Sequence, residues 1–143
     1  MLACADSRVP VEIVFDQTIG HLFVTRVAGN IITPEILGSL EYGVAVLGTK
    51  VILVLGHSNS VAVKAAVAGK AVPGQISSLY AHLQPDVDET DPDYKAVAKA
   101  NAKIRGKLLS QASTVVSEKI KKGQLKVVAG YCDIGSGVVT LLS

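Results

Sequence analysis

The apolar positions fall into short runs and helical stripes that alternate along the chain. Val51 to Leu55 is unbroken apolar sequence between Lys50 and Gly56. A run of that length, without polar alternation, predicts a central parallel strand covered on both faces. Met1 to Ala5, His21 to Val27 and Leu125 to Tyr131 read as further strands. Helical signals lie between them. Pro10 suits a first helical turn ahead of Val11, Ile13, Val14 and Phe15. Thr33-Pro34-Glu35 combines a cap, a proline and a first-turn acid, which predicts a helix from Thr33 to about Leu47, stopped by Gly48. Ile36, Leu40, Val44 and Leu47 recur at helical spacing as its core face. Gly38 and Gly43 interrupt it at about 1 kcal/mol each relative to alanine, which points to close packing, within the chain or at a subunit interface.

A helix from Ser60 to Ala68 follows the central strand directly. Strand, glycine turn and helix N-terminus make a natural setting for an anion. Ala71 to Gln75 is a loop marked by Pro73-Gly74, Ile76 to Leu83 a short helix, and Pro85 to Thr90 an acidic linker. Asp91-Pro92-Asp93 starts the longest helix, which Gly123 ends. Val97, Ile104, Leu108, Val115 and Ile120 are its predicted buried stripe. Gly135-Ser136-Gly137 is a hairpin-like turn into Val138 to Leu142. The predicted fold is α/β: a mainly parallel central sheet of about four strands, helices on both faces, and a final antiparallel edge strand. The length of 143 residues suits a single domain, 1–143, able to bury its own core.

Composition narrows the function. Aromatics are only 4% of the chain, so small aliphatic side chains carry a closely packed sheet. The longest apolar region, Val44 to Gly56, is cut by Lys50 and is too short to span a bilayer, so no membrane association is expected. Fourteen basic and twelve acidic residues leave a net charge of +2. The late lysines Lys119, Lys121, Lys122 and Lys126 read as a solvated helix end favoured by the helix dipole. Without interleaved aromatics, they give no nucleic-acid surface. Two cysteines, Cys4 and Cys132, and no signal peptide fit a reduced cytoplasmic protein.

The candidate chemistry sits in two stretches, Cys4-Ala5-Asp6-Ser7-Arg8-Val9 and Gly56-His57-Ser58-Asn59-Ser60. Thiolate, carboxylate and imidazole are the side chains zinc accepts. Both stretches follow predicted strands, where ligands of α/β sheets gather. The pattern C-x-D-x-R followed by G-H-x-x-C resembles the β-class carbonic anhydrases. Leu22-Phe23-Val24, Ala28-Gly29-Asn30, Ser39-Leu40-Glu41-Tyr42 and Val51 to Gly56 extend the resemblance from Met1 to about Leu142.

The resemblance implies zinc as cofactor, carbon dioxide and bicarbonate as substrates, and a homodimer or higher oligomer. It implies Cys4 and His57 as metal ligands. Asp6 would either orient a zinc-bound hydroxide while paired with Arg8, or leave Arg8 and bind the metal itself. The resemblance further implies helices before the first strand, which the chain 1–143 is expected to lack.

One position departs from the pattern. The family's second zinc cysteine falls at Ser60, with Val61 in place of the following glycine. A serine hydroxyl stays protonated at neutral pH and is a poor zinc ligand. Three outcomes stay open: zinc on Cys4, His57 and Asp6; loss of zinc, with a pocket for a small anion or a subunit or scaffold role; or Cys132 as a substitute ligand. Hydration of carbon dioxide is expected to be weak or lost. A serine-hydrolase reading fails because G-x-S-x-G is absent, and a serine at Ser60 suits a helix cap.

Overall fold

The computed structural model describes residues 1–88 and 93–143. Five strands form one sheet in the order β2-β1-β3-β4-β5. They are β1 (Leu2–Ala3), β2 (Thr25–Arg26), β3 (Val51–His57), β4 (Lys126–Cys132) and β5 (Val139–Leu142). The first four are mutually parallel, and β5 runs antiparallel to β4. The predicted α/β architecture is therefore the observed one.

β3 lies at the centre, and Ile52 to Leu55 are all buried. Side chains alternate across a strand, so its two faces serve different cores. Ile52 and Val54 join Leu2, Leu40, Val44, Leu109 and Val116 on the face covered by α2 (Pro34–Ala45), α5 (Tyr94–Ala112) and α6 (Thr114–Lys121). Leu53 and Leu55 join Ala3, Val9 and Val11 on the other face, covered by α1 (Val11–Val14). α3 (Val61–Ala68) and α4 (Ile76–Asp88) pack together beyond the sheet's C-terminal edge region, around Ile31, Ala66 and Leu83.

Several boundaries differ from the sequence reading. Only Thr25 and Arg26 of the His21 to Val27 run pair as a strand, because β1 offers just two partners. α2 ends at Ala45, and Leu47 is half exposed. Pro85 lies inside α4 rather than in a linker. Glu89 to Pro92 lie outside the described residues, and α5 is capped by Asp93, whose carboxylate accepts from the Lys95 and Ala96 amides. The single long helix ending at Gly123 is two helices. Ser113 breaks it: its backbone is extended, its Oγ accepts from Val116 N at 3.0 Å and donates to Glu41 Oε1 at 2.6 Å.

The buried stripe of α5 is displaced from the predicted one. Val97, Ala98, Asn101, Ala102, Arg105 and Leu109 face inward, while Ile104 and Leu108 lie at its margin. Gly56 explains the placement. A β-carbon there would come within 2.7 Å of the Ala98 carbonyl oxygen, so α5 lies directly on β3. Gly43 has a similar role inside the chain, where a β-carbon would meet the Phe23 ring at 2.9 Å; Gly38 faces open space.

Candidate functional site

The strand order brings the two motifs together. Ala3 of β1 is level with Leu55 of β3, so Cys4 and His57 emerge side by side at the carboxyl edge. Cys4 is 5% exposed and His57 1%. Nδ1 of His57 donates to the Ser58 carbonyl at 2.8 Å, and Nε2 is buried with no hydrogen-bond partner. The Cys4 sulfur lies close to the ring without forming a geometrically sound hydrogen bond to Nε2. Burial pushes the Cys4 thiol up, but His57 and the backbone N–H groups of Asp6 and Gly29 bring it below its ordinary value. Burial pushes His57 down, and the Cys4 sulfur with the Ser58 carbonyl carries it above its ordinary value. Each group thus shifts the other toward its charged form.

Asp6 and Arg8 form a clasp. Asp6 Oδ1 accepts from Arg8 N at 3.0 Å and from Nε at 2.9 Å, and Oδ2 accepts from Nη2 at 2.6 Å. The Arg8 guanidinium holds the Asp6 carboxyl well below the usual carboxylate range. Nη2 of Arg8 also donates to the Asn59 carbonyl at 2.9 Å, tying the first motif to the second. Ser60 Oγ is turned inward and accepts from Val63 N at 3.4 Å as the N-cap of α3. Ser58 Oγ accepts from Ile134 N at 2.9 Å, so neither serine is placed as a nucleophile.

Cys132 pairs in register with His57 across β3 and β4, but packs with Val9, Val11 and Leu55. Burial, with Asp133 beside it, pushes its thiol up. Among the described residues, no three His, Cys, Asp or Glu side chains converge as a metal cluster.

A cavity of about 490 Å³ opens beside Cys4 and Asp6, walled by Val61, Ala62 and Ala65 of α3 and by Ile76, Leu79 and Tyr80 of α4. A larger one, about 610 Å³, lies at the far end of β3 and β4 among Lys50, Lys119 and Lys126, remote from the motifs.

The carbonic anhydrase family model matches residues 1–139. This chain belongs to the β-carbonic anhydrase family. Carbonic anhydrase 2 of Mycobacterium tuberculosis is 34% identical over 156 residues, covering 99% of this chain and 72% of that protein. The carbonic anhydrase of Mycolicibacterium smegmatis is 32% identical, covering all of this chain and 73% of its own length. Among solved structures, the β-carbonic anhydrase of Aspergillus fumigatus superposes with a TM-score of 0.92 at 26% identity, covering 99% of this chain and 73% of that one. A tetrameric β-carbonic anhydrase of Sordaria macrospora gives 0.89 at 25%, covering 99% and 78%.

The β-carbonic anhydrase family depends on zinc, and the site can be tested against it. An imidazole with Nδ1–H on a carbonyl and a buried, open Nε2 is the state in which histidine meets a metal. A depressed thiol beside it also fits. The set stops there. Asp6 is clasped by Arg8, and Ser60 is turned to its cap. Two donors fall short of the three protein ligands of a catalytic zinc, so the residues as arranged do not fit that metal centre.

Two contributors were not apparent from the sequence. Arg26 donates from Nε to the Cys4 carbonyl at 2.8 Å, and from Nη2 to those of Asp6 at 2.6 Å and Val9 at 3.1 Å. The Gly29 backbone N–H helps to hold the Cys4 thiol below its ordinary value. Both lie in the strand and turn that flank β1 in space, a neighbourhood that only strand order reveals. No membrane-crossing helix occurs among the described residues.

Proposed function

We propose that this chain is a β-carbonic anhydrase relative in which the family reaction, reversible hydration of carbon dioxide to bicarbonate, is weak or lost. The observation that carries this reading is the engagement of two side chains. Ser60 Oγ caps α3, and both Asp6 oxygens are held by Arg8. When bound, zinc supplies a water acidic enough to furnish hydroxide at neutral pH. A complete structural zinc site contributes about 10–16 kcal/mol, and loss of one thiolate removes several kcal/mol of that. In the non-catalytic form the pocket serves a small anion such as bicarbonate, or the chain acts as a subunit or scaffold.

The open Nε2 of His57 favours a second reading. Asp6 leaves Arg8 and joins Cys4 and His57 as a third ligand, giving low zinc occupancy. Asp6 then no longer orients a nucleophile, so catalysis stays poor. We further take the chain to be cytoplasmic, since both cysteines are free thiols. A homodimer or larger assembly accords with the tetrameric Sordaria relative and with exposed Tyr42, Val46 and Leu47 on and just after α2.

Metal analysis and stopped-flow hydration on one purified sample test the proposal. It requires substoichiometric zinc and a rate close to the uncatalysed one. Full, chelator-resistant zinc with rapid hydration would refute it.

A further inference from the structure

α5 carries a row of like charges that no acid of the chain answers. Lys95, Lys99, Lys103 and Lys107 occur at every fourth position. That spacing sets them on one face of the helix, about 6 Å apart along its axis and about 18 Å from first to last. Lys95, Lys103 and Lys107 are exposed. Lys99 is partly buried, with Nζ 5.2 Å from the centre of the Tyr131 ring. No acidic residue lies between Asp93 and Glu118 in the sequence. Among the described residues, none of the four lysines forms an ion pair. The row does not serve the fold. Like charges four apart weaken a helix, and Lys95 sits in the first turn, where the helix dipole disfavours a cation.

Three cavities open in succession along the row. The first, about 320 Å³, lies among Lys95, Lys99, Asp133 and Thr140. The second, about 370 Å³, lies among Lys99, Lys103 and Leu141. The third, about 460 Å³, lies among Lys103, Lys107 and Lys126. Each shares a lysine with the next, so together they make one groove between α5 and the β4–β5 side of the sheet. On its α5 wall the residues between the lysines are small: Ala96, Ala100, Gly106 and Ser110.

We propose that this groove docks a short, extended, acidic segment of a partner protein. Alternate side chains of an extended chain lie on one side, about 6.6 Å apart, which matches the lysine interval. Complementary charge of this kind sets register and speeds encounter. The charge distribution also limits the guest's length. Residues 94–132 hold nine basic side chains and one acid, a net +8, whereas the chain totals +2, so everything else is net −6. Asp93 and Asp133 stand at the Lys95 end of the row. A long polyanion such as a nucleic acid would run off the row onto repelling charge. It would also find no stacking surface, since Tyr131, the aromatic ring that lines the groove, is 5% exposed and lies under Lys99. A bilayer surface, being broad, cannot enter the groove.

Fluorescence anisotropy of a labelled peptide of alternating glutamate and threonine tests this on the full chain. The wild type should bind the peptide at low salt, and affinity should fall as salt rises. Lys103→Gln combined with Lys107→Gln should weaken binding about three- to tenfold, the loss expected for two exposed ion pairs. Lys70→Gln combined with Lys121→Gln removes the same charge away from the row and should change affinity less than about twofold. All four of these lysines are exposed, so both double variants keep the fold. Peptide-induced shifts in ¹⁵N–¹H NMR should centre on the amides of residues 95–107 and spare Cys4 and His57. No binding by the wild type, equal weakening in the two double variants, or shifts centred elsewhere would overturn the proposal. Tighter binding of a single-stranded oligonucleotide, or of vesicles of anionic phospholipid, would overturn it too and give the row to that partner. None of these readouts involves zinc or carbon dioxide, so their failure is separate from failure of the proposed function.

Discussion

Ser60 holds the end of a helix. Its Oγ satisfies one of the amides that a helix N-terminus leaves open. Ser60→Ala should therefore cost about 1 kcal/mol, read as a lower urea midpoint with an unchanged m-value. Arg26 has a larger structural share. Its guanidinium donates to three carbonyls of the loop that carries Cys4 and Asp6. Arg26→Ala should destabilise by about 2–4 kcal/mol, since the donors are charged and the carbonyls are partly buried. Arg26→Lys should recover only part of this in the same urea titration, because a point charge cannot reproduce the fork. The grouping of Cys4 with His57 and the pairing of Asp6 with Arg8 were legible in the sequence, as was the cap at Ser60. The tie from Arg8 to the Asn59 carbonyl was not, since it depends on how the two loops meet in space.

Two glycines separate packing from propensity at the scale of the elements. Gly56 has the backbone of α5 against it, so Gly56→Ala should destabilise by about 1–3 kcal/mol as β3 and α5 move apart. Gly38 faces open space in the middle of α2, and Gly38→Ala should stabilise by about 1 kcal/mol. Thermal unfolding of the two variants should therefore shift in opposite directions. In the turn before β5, Asp133 Oδ1 accepts from the Ser136 amide and hydroxyl, which holds its carboxyl below the ordinary value. A depressed acid contributes stability that is present above the unfolded pKa of about 4 and lost as pH falls through the native value. Protection of the Ser136 amide, taken relative to the intrinsic exchange rate, should accordingly fall as pH drops from about 4 through the native value of Asp133, and Asp133→Asn should weaken that dependence. The strands and most helices were legible because their apolar runs and caps are local. The α5 stripe was misjudged because Asn101 and Arg105 occupy buried positions that a hydrophobic pattern assigns to solvent. The break at Ser113 was missed because its hydroxyl is fixed by Glu41 from α2, a partner distant in sequence.

At the scale of the molecule, function depends on which strands lie side by side. β1 and β3 are neighbours with β2 outside them, and that order alone joins Cys4 to His57. Local patterning does not encode strand order; the family motifs implied the meeting before the structure displayed it. The exposed Tyr42, Val46 and Leu47 extend the same logic beyond one chain. Sedimentation should find a dimer or larger species, and Leu47→Lys should shift it toward monomer without lowering the Tm of the isolated fold.

The most direct test of a site one sulfur short compares the wild type with Ser60→Cys for zinc per chain, by competition with a chelator, and for carbon dioxide hydration. The account predicts weakly held, substoichiometric zinc in the wild type, and a joint rise of zinc and hydration in the variant. Tight stoichiometric zinc in the wild type, unchanged by the substitution, would contradict it.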